Sequence, residues 1–143
     1  MEIVFTKEVN NYAELDKLIK EEHIILPDFR VAVNALFLDR EGNLILQRRG
    51  IKARDEHHKL EDIGGAYEED DGTFRNALKR EILEEAGDDI DYEISDFIGS
   101  VLIRKFDIRT NSYVNWLFML YKCIYNRGEF RIIEKDKCEG YEK

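Results

Sequence analysis

The chain has 143 residues, 43% hydrophobic, 11% aromatic and 37% charged, which suits one packed domain and excludes a disordered one. Its formal net charge of −9 argues against broad binding to nucleic acid or to an anionic membrane surface. No apolar run reaches the roughly 20 residues of a membrane helix. No secretory signal opens the chain, and Cys123 and Cys138 lack CxxC spacing, so both are read as reduced thiols of a cytoplasmic protein, with Cys123 a core residue.

The first element in chain order is a short amphipathic helix from Tyr12 to Glu22, with Leu15, Leu18 and Ile19 on its apolar side. Pro27 breaks the chain, so residues 1–27 read as an N-terminal helical extension and residues 28–143 as the main domain. Arg30 to Asp39 alternates and opens β-branched, which predicts a strand; Arg40-Glu41-Gly42-Asn43 is a turn, and Leu44 to Arg49 returns as the hairpin partner. The polar stretch from Ile51 to Leu60 predicts a loop. A helix follows, capped by Asp71 or Thr73 and ended by Gly87. Tyr92 to Phe106 predicts one or two strands around Gly99, Asn111-Ser112 a turn, Tyr113 to Tyr125 a long strand and Phe130 to Ile133 a short one. Strands, one well-marked helix and strands again describe a mixed α/β (α+β) sandwich with no regular βαβ repeat.

The helix ending at Gly87 carries the unusual chemistry. At about 100° per residue, Phe74, Ala77, Leu78 and Ile82 share one face. Glu81, Glu84 and Glu85 extend that inward stripe, while Arg75, Asn76, Lys79 and Leu83 point to solvent. Like charges at these spacings repel, and partly buried carboxylates are costly unless neutralised. A hard divalent cation with oxygen ligands would neutralise them, and Mg2+ is the usual ion where phosphates are handled. An acidic solvated helix is the plainer reading, and the wheel argues against it.

These residues resemble the box of the Nudix hydrolase family, G-x5-E-x7-R-E-U-x-E-E-x-G-U, with U a bulky aliphatic. Arg80-Glu81-Ile82-Leu83-Glu84-Glu85-Ala86-Gly87 matches its second half without a gap, and Gly64-Gly65 matches its opening. The upstream hairpin ending in Gln47-Arg48-Arg49 and the stretch Lys137-Cys138-Glu139-Gly140-Tyr141, similar to a late loop of many members, extend the resemblance over about residues 30–143. Two departures stand out: one extra residue separates Gly65 from Arg80, so Asp70 or Asp71 replaces the early glutamate, and Asp88 stands where an aliphatic residue is usual.

The resemblance implies a Nudix-type α/β/α sandwich with a mixed sheet, a loop-helix motif and here an extra N-terminal helix. It implies a nucleotide pyrophosphohydrolase that cleaves a diphosphate bond in a nucleoside diphosphate linked to another moiety, with Mg2+ or Mn2+ as cofactor and a small-molecule nucleotide as partner. Carried over residue by residue, Glu81, Glu84 and Glu85 would bind metal, with the carbonyl of Gly64 or Gly65 completing the shell. Glu81, Glu84 and Arg80 would form the catalytic set, with Glu81 a ligand or general base and Arg80 orienting a glutamate. A further ligand or base from the late loop would be Glu134, Asp136 or, preferred, Glu139. Arg48 and Arg49 are candidates for phosphate oxygens, as are His57 and His58, although a solvated loop is the commoner fate of such residues. Trp116 and Tyr113 could stack a base, though strand aromatics are usually core. Family chains commonly continue with a strand and a helix where this sequence stops. Either the chain is shortened or the Tyr12 helix covers that part of the sheet, and an uncovered edge would favour a homodimer.

Two other functions compete. A nucleotide or nucleotide-sugar sensor would keep the fold without needing all three glutamates. An isomerase of the isopentenyl diphosphate type would need a cysteine upstream of the box, and none precedes Cys123.

Overall fold

The computed structural model describes residues 2–49, 60–130 and 138–142. In chain order they form β1 (Glu2–Ile3), α1 (Tyr12–Glu21), β2 (Arg30–Leu38), β3 (Leu44–Arg49), β4 (Leu60–Glu61), β5 (Ile63–Ala66), a 3-10 turn (Glu69–Asp71), α2 (Phe74–Ala86), β6 (Ile90–Asp107), β7 (Ser112–Gly128) and β8 (Cys138–Glu142). The strands make one mixed sheet of order β1-β6-β7-β2-β3-β4, with β5 on β2 and β8 on β3.

Strand β2 is the spine. Val31, Val33, Ala35 and Phe37 alternate onto one face and are fully or almost fully buried, as the sequence pattern predicts. The parallel partner β7 turns Leu117, Met119, Tyr121 and Cys123 to the same core, each 0% exposed. Both helices close this face: Leu15 and Leu18 of α1 and Phe74, Ala77, Leu78 and Ile82 of α2 belong to the same cluster. Fully burying a side chain such as Phe74 or Leu78 contributes about 1.5–3 kcal/mol. Helix α1 therefore packs on the same core as α2, with Tyr12 edge-on to Phe74 and to Tyr67. The segment before residue 28 also supplies β1, paired with β6, and the core residues Phe5 and Val9.

Several elements differ from their sequence expectation. Tyr92 to Phe106 lies within one continuous strand, β6, whose register shifts around Asp91/Tyr92, Ile94/Asp96 and Phe97/Gly99; bulges bend it without ending it. The stretch expected as a late loop is strand β8, because it finds a partner edge in β3. Strand β3 pairs with β2 only at Phe37–Ile45 and Leu38–Leu44 before turning to β4 and β8. Arg75, expected in solvent, is half-buried: its Nε and Nη2 donate to Glu8 at 2.7 and 3.2 Å and its Nη1 to the Ile94 carbonyl at 3.1 Å, tying α2 to the N-terminal segment and to β6. The loop 51–59 and residues 131–133 of the short strand expected after Phe130 lie outside the described residues.

Candidate functional site

Strand β5 sits beside β2 because β3 leaves it, and this puts the glycine pair against the helix. Gly64 faces Asn34 and Gly65 faces Val33 in an antiparallel register. A Cβ on Gly64 would meet the Val33 carbonyl oxygen at 2.2 Å, and one on Gly65 would meet the Glu81 carboxylate at 2.4 Å. At Gly64 only hydrogen fits against the backbone, and at Gly65 a larger group fits only if the Glu81 carboxylate moves.

Helix α2 starts where Thr73 Oγ1 accepts from the Asn76 N–H at 3.1 Å. Thr73, and not Asp71, is thus the cap. Asp71 is freed for another task. It closes the 3-10 turn, with Oδ2 accepting from the Glu68 N–H at 2.9 Å, and Gly72 follows at φ +78°, a conformation that suits glycine. The turn lies in the stretch where the chain carries its extra residue. From there Asp71 reaches Arg80: Nε donates to Oδ1 at 2.7 Å and Nη2 to Oδ2 at 2.9 Å. The sequence left Asp70 and Asp71 as alternatives for the missing glutamate; the two-pronged pairing with Arg80 belongs to Asp71.

Arg80 joins the rest of the site. Its Nη2 donates to the Ala66 carbonyl at 3.0 Å, and its Nη1 to Glu81 Oε1 at 3.0 Å and to Glu84 Oε2 at 3.3 Å. The bond to Asp71, with the neighbouring Glu81, raises the Arg80 guanidinium further above its ordinary value, and the same bond lowers the Asp71 carboxyl. Glu81 is 9% exposed. Burial raises its carboxyl, and Arg80 opposes that shift. Glu85 is half-buried, and its Oε2 accepts from the Gly64 N–H at 3.1 Å. Glu84, expected on the inward stripe, lies instead at the solvent side with its side chain 49% exposed, because the ideal wheel sets it at the margin of the buried face.

Among the described residues, no three acidic, histidine or cysteine side chains stand close enough to hold an ion as placed. Arg80 lies between Glu81 and Glu84. The donor set nevertheless suits a hard cation: carboxylates only accept, and the glycine pair leaves backbone oxygen approachable. The Arg80–Glu84 contact is long and half-exposed, a class of ion pair that contributes about 0–1 kcal/mol and is readily exchanged.

Of the residues singled out from sequence, Arg80, Glu81, Glu84, Glu85 and Gly65 share one locality. Arg48, Arg49 and Glu139 are adjacent in backbone: Arg48 pairs with Gly140 and Arg49 with Cys138, and the register shift between them leaves Glu139 in the bulge. Their side chains, and His57, His58, Glu134 and Asp136 entirely, lie outside the described residues. Trp116 and Tyr113 are absent from the core cluster, contrary to the usual fate of strand aromatics. Tyr113 is 60% exposed near the β6–β7 turn, with the Arg104 guanidinium 4.5 Å from its ring centre. Asn34 and Asp62, which sequence reasoning did not single out, are bonded beside the glycines, Asn34 Nδ2 donating to Asp62 Oδ1 at 2.7 Å. The polar residue inside an apolar β2 was the available signal.

The chain matches the family model described as NUDIX domain over residues 28–142. Its structure is similar to that of the MutT protein from Methanosarcina mazei Go1, with TM-score 0.65 and 19% identity over 82% of this chain and 78% of that one. It is similar to a MutT NUDIX hydrolase from Burkholderia pseudomallei, with TM-score 0.57 and 24% identity over 81% and 82%. It is also similar to the E. coli ORF135 protein, with TM-score 0.59 and 21% identity over 80% and 72%. At these identities the likeness is one of fold. No curated protein matches by sequence.

Proposed function

Because the chain belongs to the Nudix family, we propose that it hydrolyses a diphosphate bond in a nucleoside diphosphate linked to a second moiety, with Mg2+ or Mn2+ as cofactor. The observation that carries this reading is the Glu81 carboxylate, buried over a glycine that leaves it no more room than it needs. A bare acidic surface helix would not hold a carboxylate there. Glu81, Glu84 and Glu85 would hold the ion, with the Gly65 carbonyl as a backbone donor. The bound ion supplies charge neutralisation at the diphosphate and an acidified water.

The chain's own groups do the rest. The Gly64 N–H fixes Glu85. Arg80, itself gripped by Asp71, orients Glu81 and Glu84. Glu81, buried over Gly65 and bonded by Arg80, would serve either as a ligand of the ion or as the general base that accepts the proton of the attacking water. Arg48, Arg49 and Glu139, adjacent along the β3–β8 backbone, are the residues proposed to bind the substrate.

The test is phosphate or nucleoside monophosphate release from a panel of nucleoside triphosphates, ADP-ribose, nucleotide sugars and dinucleoside polyphosphates, with and without Mg2+ or Mn2+. Glu84→Gln is expected to lose about 100- to 1000-fold in rate, the usual loss for one electrostatic contact to the reacting centre. Ligand-dependent thermal stabilisation without turnover would refute the hydrolase reading and favour a sensor.

A further inference from the structure

The sheet face turned away from the two helices carries a second set of side chains that the proposed chemistry does not use. Alternation along β2 brings Arg30, Ala32 and Asn34 to this face, and the parallel register sets them beside Trp116, Phe118 and Leu120. Trp116 and Phe118 are half-buried and lie outside the core cluster. Their ring centres are 6.4 Å apart at a tilt of 38°. The Arg30 guanidinium stands 5.9 Å from the Trp116 ring centre and the Lys105 ammonium 5.7 Å from that of Phe118. Each ring thus carries a cation over its face, in a chain whose net charge is −9, and the Asp62 carboxyl bonded to Asn34 is near enough to Lys105 to interact with it.

This face meets the carboxylate site at the backbone of β5, while Glu81 lies over Gly65 from the helix side. Asn34 lies four positions along β2 from Arg30 and pairs with Gly64, whose N–H holds Glu85. Four strand residues span about 13 Å, a length comparable to that of a nucleoside with its phosphates. Asn34 bonds Asp62 through Nδ2, while its Oδ1 is buried with no hydrogen-bond partner among the described residues. A polar group left incompletely satisfied on an apolar sheet face marks a place built for something besides packing.

We propose that this face takes the nucleobase of the substrate, with Trp116 and Phe118 as the stacking surface and Arg30 and Lys105 as its cationic rim. A flat π-system against aromatic rings and a rim that attracts phosphate are what a nucleotide offers. An acidic or purely apolar partner would match only half of that. The inference rests on the nucleotide reading above and names how the nucleotide is held.

The chain contains a single tryptophan, so intrinsic fluorescence reports on Trp116 alone. AMP and GMP are titrated against the full chain, with ribose 5-phosphate as the probe that keeps sugar and phosphate but lacks the base. Saturable quenching by the monophosphates and none by ribose 5-phosphate is expected. Phe118→Ala should weaken binding roughly tenfold, within the range for loss of one base–aromatic stack. Phe106→Ala, at an exposed aromatic outside this face, should leave it unchanged. Circular dichroism checks that Phe118→Ala is folded, and Arg30→Gln, at an exposed position, serves as a second variant expected to weaken binding. No quenching, equal quenching by ribose 5-phosphate, or unchanged affinity in both variants would overturn the proposal. Quenching without turnover in the hydrolysis panel would leave this nucleotide site standing and remove only the hydrolase reading. Turnover without quenching would do the reverse.

Discussion

Replacing Asp71 with alanine removes both acceptors that grip Arg80, at 2.7 and 2.9 Å, from a carboxylate whose side chain is only 8% exposed. A hydrogen bond to a charged group contributes about 1.5–3 kcal/mol, and breaking a fully buried ion pair costs about 3–5 kcal/mol. Arg80 is 22% exposed and keeps the Ala66 carbonyl, Glu81 and Glu84. The loss should therefore sit low in that range, about 2 kcal/mol, which in a domain of this size lowers Tm by about 4–8 °C. The effect carries a pH signature. Arg80 holds the Asp71 carboxyl below its ordinary value, so the folded chain binds that proton more weakly than the unfolded one. The stabilisation is complete above the unfolded value, about pH 4, and disappears as pH falls through the lowered folded one. Thermal melts of the two proteins from neutral pH into acid should show a gap that is constant near neutrality and closes at the acid end. An alanine variant that melts within a degree or so of the parent at neutral pH would show that Asp71 is a solvated surface acid.

Two further outcomes are expected. Gly65→Ala must push the Glu81 carboxylate away, since the new Cβ would lie 2.4 Å from it; nucleotide hydrolysis should fall about a hundredfold, the scale of an ångström-sized misplacement, while circular dichroism shows the fold intact, and unchanged activity would refute the role given to that contact. Burial raises the Cys123 thiol to about 12, so in a Cys138→Ser background the native chain should show no reaction with a thiol reagent at pH 8, with full reaction after denaturation; prompt labelling of the folded chain would contradict the burial.

How legible the molecule was in its sequence depends on the range of the interactions. The α2 stripe was readable because Phe74, Leu78, Glu81 and Ile82 are fixed relative to one another by helix geometry alone, and the buried Glu81 fell where the wheel set it. The β2 strand and its turn were readable for the same local reason. Family membership was readable because the box is short, contiguous and chemically specific. Nothing local announced that Tyr92 to Phe106 is one bulged strand, that the stretch around Glu139 is a strand rather than a loop, or that Arg75 is tied down by Glu8, 67 residues away. Those outcomes depend on which edge or partner lies opposite, and the chain decides that only when it closes on itself.

The same division runs through the site. The sequence determined by itself that Glu81 would lie on an inward helix face and that a glycine pair would precede it, because period and residue type suffice for both; Glu84, set on the same stripe by the wheel, lies at the solvent side. Only the tertiary structure chose Asp71 over Asp70 and laid Gly65 against Glu81. It alone separated Trp116 and Phe118 from the core, because contacts between β2, β5, β7 and α2 join segments far apart in the chain. Burial of those facing surfaces, which no single segment can achieve, sets the register of each strand and with it the neighbours of every side chain in the site.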